Sequence, residues 1–100
     1  MNEELINLFL KNKNFQTLDD YFNSKKGNWG SLSSDEIFDC FKLLYAIADD
    51  NHHLAKYYFN KIDFNQIPEV RRNQFFFIKK KISFKEFLDC AERKKNELIQ

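Results

Sequence analysis

Four side chains are of the types that hold a borderline metal or act as nucleophiles: Cys40, His52, His53 and Cys90. A zinc site needs three or four such groups converging at about 2.0–2.3 Å from one point. His52 and His53 are neighbours, and successive residues of a helix point about 100° apart, so the spacing predicts that the two rings cannot share an ion. A mixed site would have to bring Cys40 and Cys90 together from distant parts of the chain. The cysteines form neither a CxxC pair nor an even framework, so reduced, buried thiols are expected in place of a disulfide scaffold. On these grounds no metal and no cofactor is assigned.

Other catalytic arrangements are also missing from the pattern. Gly27 and Gly30, separated by Asn28 and Trp29, cannot build a phosphate-cradling loop, and no serine sits in a GxSxG setting. Both histidines precede Arg71, Arg72 and Arg93, the reverse of the order found in many helical ribonucleases. The carboxylates lie on helix faces with nothing nearby to tune them. No catalytic residue is assigned, and an enzyme is not expected.

Recognition is what remains. Residues 1–50 carry nine acidic and five basic side chains, while residues 51–100 carry six and eleven, so a net charge of +1 conceals an acidic half and a basic half. Asymmetry of this kind can mark an interaction surface. Asp19, Asp20, Asp35, Glu36, Asp39, Asp49 and Asp50 form the candidate partner-binding set, able to steer onto a basic protein. Trp29, on the glycine-flanked loop, is the candidate anchor for a partner's pocket. The basic half offers Arg71, Arg72, Lys79, Lys80, Lys81, Lys85, Arg93, Lys94 and Lys95 to phosphates. Aromatics at core-like spacings and acidic interruptions argue against nucleic acid as the partner.

Positioning these groups calls for a helical frame. One hundred residues suit a single domain spanning 1–100, and two glycines with one proline leave little scope for hairpins of strands. The expectation is all-α: about six helices in three hairpins, stacked as a short solenoid or gathered as an irregular bundle. Leu5, Leu8 and Phe9 make a first stripe, and Phe15, Leu18, Tyr21 and Phe22 a second. Gly27 is expected to close the second helix in a left-handed cap. LSSDEI (32–37) reads as a capping box of Ser33 and Glu36, with Leu32 and Ile37 as its hydrophobic staple. The helix it starts carries Ile37, Phe38, Cys40, Phe41, Leu44, Tyr45, Ile47 and Ala48. After the polar turn 49–53 comes an arm from Leu54 to Ile62, then a helix from Pro68 to Lys80 with Phe76, Phe77 and Ile78 turned inward.

FFFIKKKISFKEF (75–87) then reads as a corner. Three lysines complement the negative end of one helix, and Ser83 with Glu86, stapled by Ile82 and Phe87, opens the next. That last helix places Phe84, Phe87, Leu88, Ala91 and Leu98 on one face. No run of 18 apolar residues and no basic leader region occurs, so neither a membrane partner nor export is expected, and the location expected is cytoplasmic.

FIKKKISFKEFLDCAERKKNEL (77–98) resembles a segment of the small all-helical bacterial immunity proteins that neutralise colicin D-type and contact-dependent-inhibition toxins. The shared pattern is an apolar helix, a basic turn, an Ile-Ser-x-x-Glu-Phe start and a charged amphipathic helix. The resemblance implies a non-enzymatic protein that binds one cognate toxin domain, a nuclease foremost, and blocks its active site. The acidic half would then mimic nucleic-acid phosphates. LAKYYF (54–59), with Ala55 four residues before Phe59, is similar to the second helix of a tetratricopeptide repeat, which implies an adaptor as the alternative. A small nucleic-acid-binding protein is the third reading.

Overall fold

The structure, a computed structural model, describes residues 15–99. All regular structure among them is helical: α1 (Phe15–Lys25), α2 (Ser34–Asp50), α3 (His52–Phe59), the single turn α4 (Glu69–Arg72) and α5 (Phe76–Ile99), with 3-10 turns at Trp29–Ser31, Phe64–Gln66 and Asn73–Phe75. The expected stripe at Leu5, Leu8 and Phe9 lies outside the described residues.

Local chemistry accounts for the boundaries of α1 and α2. α1 stops at Lys25, and Gly27 follows at φ +80°, the left-handed conformation that costs glycine least. Glu36 N donates to Ser33 Oγ and Ser33 N to Glu36 Oε1, both at 3.2 Å, so the capping box opens α2 as expected. Ile37 is buried, and Leu32 packs against the core beside it. The expected five-residue turn at 49–53 contracts to Asn51 alone. Asn51 donates its N–H to Ile47 O at 2.7 Å while its side chain accepts from Leu54 N at 3.1 Å. One residue thus ends α2 and caps α3, leaving Asp49 and Asp50 in one helix and His52 and His53 in the other.

The largest departure concerns residues 75–87. Where the sequence predicts a corner between two helices, α5 runs through without a break, so the third hairpin is absent and the expected helix count falls. No glycine or proline interrupts the chain after Pro68, and Ile78 and Ile82 are both buried. At four residues apart they share one face of a continuous helix, and a turn between them would swing one away from the core. Each contributes about 1.5–3 kcal/mol by burial, against the few tenths that a serine costs in a helix interior. Ser83 therefore sits exposed in mid-helix, and Glu86 does not cap but reaches across to Lys56 Nζ at 3.1 Å.

The core gathers Leu18 and Phe22 from α1, Ile37, Cys40, Leu43, Leu44, Ile47 and Ala48 from α2, Ala55 and Tyr58 from α3, Phe75 from the 3-10 turn before α5, and Ile78 and Ile82 from α5. α2 and α3 form an antiparallel hairpin, and α5 lies along it. Phe75 meets Phe41 edge-on and Lys81 sits over Tyr45, so α5 runs with α2. Glu86 meets Lys56 and Asp89 meets His52, so it runs against α3. α1 closes one side through Phe22, stacked on Tyr58 at 4.8 Å, and through Asp19, which accepts a 2.5 Å hydrogen bond from Tyr58 Oη. Residues 90–96 are exposed, so the second half of α5 carries little of the core.

Candidate functional site

Two expectations about α5 reverse once it is one helix. Phe76 and Phe77, expected to point inward, are exposed, and only Ile78 of that trio is buried. Phe84, Phe87, Leu88 and Ala91, expected as the buried face, look outward. With about 100° per residue, Ile78, Ile82 and Asp89 occupy the face against the hairpin, while Phe77, Phe84, Leu88 and Ala91 share a second face centred about 130° around the helix. Phe77, Phe84 and Ala91 recur every seven residues with Phe87 between, the spacing of a helix-to-helix seam. Phe77 is 63% exposed, Phe84 60% and Phe87 66%, which makes the seam an apolar surface that none of the described residues covers. Lys80 lies over the Phe76 ring at 4.8 Å from its centroid, and Lys94 and Lys95 follow on the same side.

The acidic set behaves differently. Asp35, Glu36 and Asp39 share the first two turns of α2, whereas Asp49 and Asp50 lie at its other end, about 15–22 Å away at 1.5 Å per residue. Asp19 and Asp20 belong to α1. Several carboxylates already have structural partners. Asp19 accepts from Tyr58, Asp20 from Gln16 Nε2 at 2.9 Å, and Asp39 lies 3.6 Å from Lys42 Nζ. Asp49 is ion-paired with Lys81, whose ammonium also covers the Tyr45 ring. The backbone and hydroxyl of Ser33 hold the Glu36 carboxyl below the usual carboxylate range. The seven acids are therefore not gathered on one face.

Trp29 needs a correction. It is 2% exposed and belongs to the core, so its ring has no surface to offer a partner. The surrounding loop is tied down: a Cβ on Gly30 would stand 3.3 Å from Gln66 O, where the two 3-10 turns meet. Hydrophobic burial of the ring outweighs what its position between two glycines suggested.

The thiols also differ from each other. Cys40 is buried, and desolvation pushes its thiol up to about 12, with Lys25 opposing weakly, so it is not a nucleophile at neutral pH. Cys90 is exposed, against expectation. Burial likewise raises the Tyr21 and Tyr58 hydroxyls, helped at Tyr21 by the nearby Cys40, Asp39 and Glu36 and at Tyr58 by its hydrogen bond to Asp19.

The expectation that adjacent histidines cannot face a common point fails in three dimensions. His52 and His53 occupy the first turn of α3, and their rings tilt together with centroids 4.1 Å apart. Both Nε2 atoms turn to one oxygen across the groove, with Asp89 Oδ2 2.9 Å from His52 and 3.7 Å from His53. The 100° rule fixes the Cα–Cβ directions, but rotation about the Cα–Cβ and Cβ–Cγ bonds lets the imidazoles reconverge. No sequence signal pointed to Asp89, because the pairing of α3 with α5 brings it there.

No family model matches the chain, and no curated protein or solved structure matches it.

Proposed function

We propose that this chain is a non-enzymatic binding protein whose docking surface is the outward seam of α5, Phe77, Phe84, Phe87 and Leu88. The occupant is a protein surface that is apolar at its centre and acidic at its edge. The observation carrying this reading is the second apolar face of α5, directed away from the core. The lysines beside it, Lys80, Lys94 and Lys95, give the seam a positive rim that would repel a second copy of itself and attract acidic residues. Burial of two or three half-exposed phenylalanines supplies the kind of central anchor on which interfaces depend.

In its specific form the proposal is a toxin-immunity protein. The segment that resembles immunity proteins, 77–98, is the segment that carries the seam. Neutralisation would then proceed by covering the toxin domain, not by imitating nucleic acid with the acidic half, whose charges are dispersed and partly paired.

The test is retention on the tagged protein during low-salt and then high-salt washes. A seam complex survives high salt, because apolar burial is not screened. Replacing Phe84 and Phe87 with Lys is expected to lower retention at least tenfold with the fold intact by circular dichroism. Reversal of Asp35, Glu36 and Asp39 to Lys is expected to leave retention in place. The opposite pattern would restore the acidic surface as the site, and nucleic acid eluting with salt would favour the basic half. Identification of the retained protein as a toxin domain decides the specific form.

A further inference from the structure

We infer that His52, His53 and Asp89 form a binding site for one divalent transition-metal ion of the zinc type. The donor atoms of all three lie within 4.8 Å of one another. Ligands at about 2.0–2.1 Å from a tetrahedral ion stand about 3.3 Å apart, and the two nitrogen–oxygen separations of 2.9 and 3.7 Å bracket that value. Small rotations of the imidazoles would admit the ion.

An ordinary ion pair does not explain the arrangement. One turn away along the same groove, Lys56 and Glu86 pair one to one at 3.1 Å. At the next rung a single carboxylate oxygen meets two imidazole nitrogens. His52 Nε2 is shielded from solvent, and although Asp89 Oδ2 is at pairing distance, the geometry of the ring nitrogen makes no hydrogen bond to it. A buried polar atom without a hydrogen bond destabilises the fold, and a bond to a metal would remove that cost.

Two imidazoles and a carboxylate suit zinc, nickel or copper better than magnesium or calcium, which prefer oxygen alone. Three protein ligands leave a fourth position open to water. A groove of about 350 Å³ lined by His53, Asp89, Glu92, Arg93 and Asn96 opens beside the donor set and gives the ion a way in. Glu92 adds negative charge there, and Arg93 opposes it. The bound ion would fasten the start of α3 to the middle of α5, just behind Leu88 of the outward seam. The inference stands on the cluster alone, independent of what occupies that seam.

The test is calorimetric titration of zinc chloride into the full chain after chelator treatment and dialysis. One ion per chain is expected, with a dissociation constant in the micromolar range or tighter. His53→Ala and Asp89→Asn should each weaken binding at least tenfold, while Cys90→Ala, next to Asp89 but outside the donor set, should leave it unchanged. His53 is exposed, so His53→Ala is expected to keep the metal-free melting temperature. Zinc should then raise the melting temperature of the wild type and not of that variant. Cobalt in place of zinc should give the intense visible bands of a four-coordinate site without thiolate charge transfer. Absence of binding in the wild type, unchanged binding in both ligand variants, or loss of binding in Cys90→Ala would overturn the assignment.

Discussion

Leu32-Ser33-Ser34-Asp35-Glu36-Ile37 and Ile82-Ser83-Phe84-Lys85-Glu86-Phe87 are written to the same rule: apolar, serine, two residues, glutamate, apolar. In the first segment the serine and glutamate exchange hydrogen bonds and a helix begins. In the second they stand in the middle of a 24-residue helix, with the serine exposed and the glutamate bonded elsewhere. The staples differ as well. Ile37 is buried, whereas Phe87 lies on the outside of α5 while Ile82 lies on the inside. A capping box is therefore permission to start a helix, and what precedes it decides whether the permission is used. Before Ser33 come Gly27 in a left-handed turn and a tight 3-10 turn. Before Ser83 come Ile78 and three lysines, none of them a helix breaker, with the next buried contact due one turn later.

Proline offers the harshest way to break this comparison. At Ser34, the first residue of α2, it would replace an N–H that no helical carbonyl accepts, so Ser34→Pro is expected to leave stability within about 0.5 kcal/mol. At Ser83 the same substitution removes an internal hydrogen bond and crowds the carbonyl of Lys79, at about 3 kcal/mol or more. Chemical denaturation of the two variants measures the gap. If the costs came out equal, residue 83 would lie at a helix start after all and α5 would be two helices.

Alanine asks the same question more gently and predicts opposite signs. Ser33→Ala removes an N-cap and should destabilise by about 1 kcal/mol. Ser83→Ala removes a mediocre helix former from an exposed interior position and should stabilise by a few tenths. Both follow from denaturant midpoints at unchanged slope.

The same contrast shows how much of the molecule was legible in its sequence. The all-helical class, the Gly27 turn, the Ser33 box and most of the α2 stripe could be read because they depend on residues within one or two turns of each other. The fate of 75–87 could not, because the deciding fact is the joint burial of Ile78 and Ile82 against the hairpin. A corner placed there turns Phe84, Phe87, Leu88 and Ala91 toward the core, whereas the continuous helix turns them outward. Trp29 departs from expectation for a related reason: glycines on either side describe the backbone, not where the ring goes. The acidic residues were visible as a set, but their dispersal along α2 and α1 was not. Asp89 meets two histidines only through tertiary pairing, so that cluster left no local trace.

The smallest expected effect concerns the carboxylate of the working box. The backbone N–H and the hydroxyl of Ser33 hold the Glu36 carboxyl below its ordinary value in the folded chain. A carboxyl that is more acidic when folded adds stability at pH above its unfolded value. That contribution fades as pH falls through the lower, folded value, where protonation removes the charge-assisted bond. Glu36→Gln keeps the side chain's shape and an acceptor oxygen but has no charge to lose. Its melting temperature should lie below that of the wild type at neutral pH and should converge with it as the solution becomes acid. A difference that stayed constant through the acid range would mean that Glu36 contributes by shape alone and that its charge adds nothing to the start of α2.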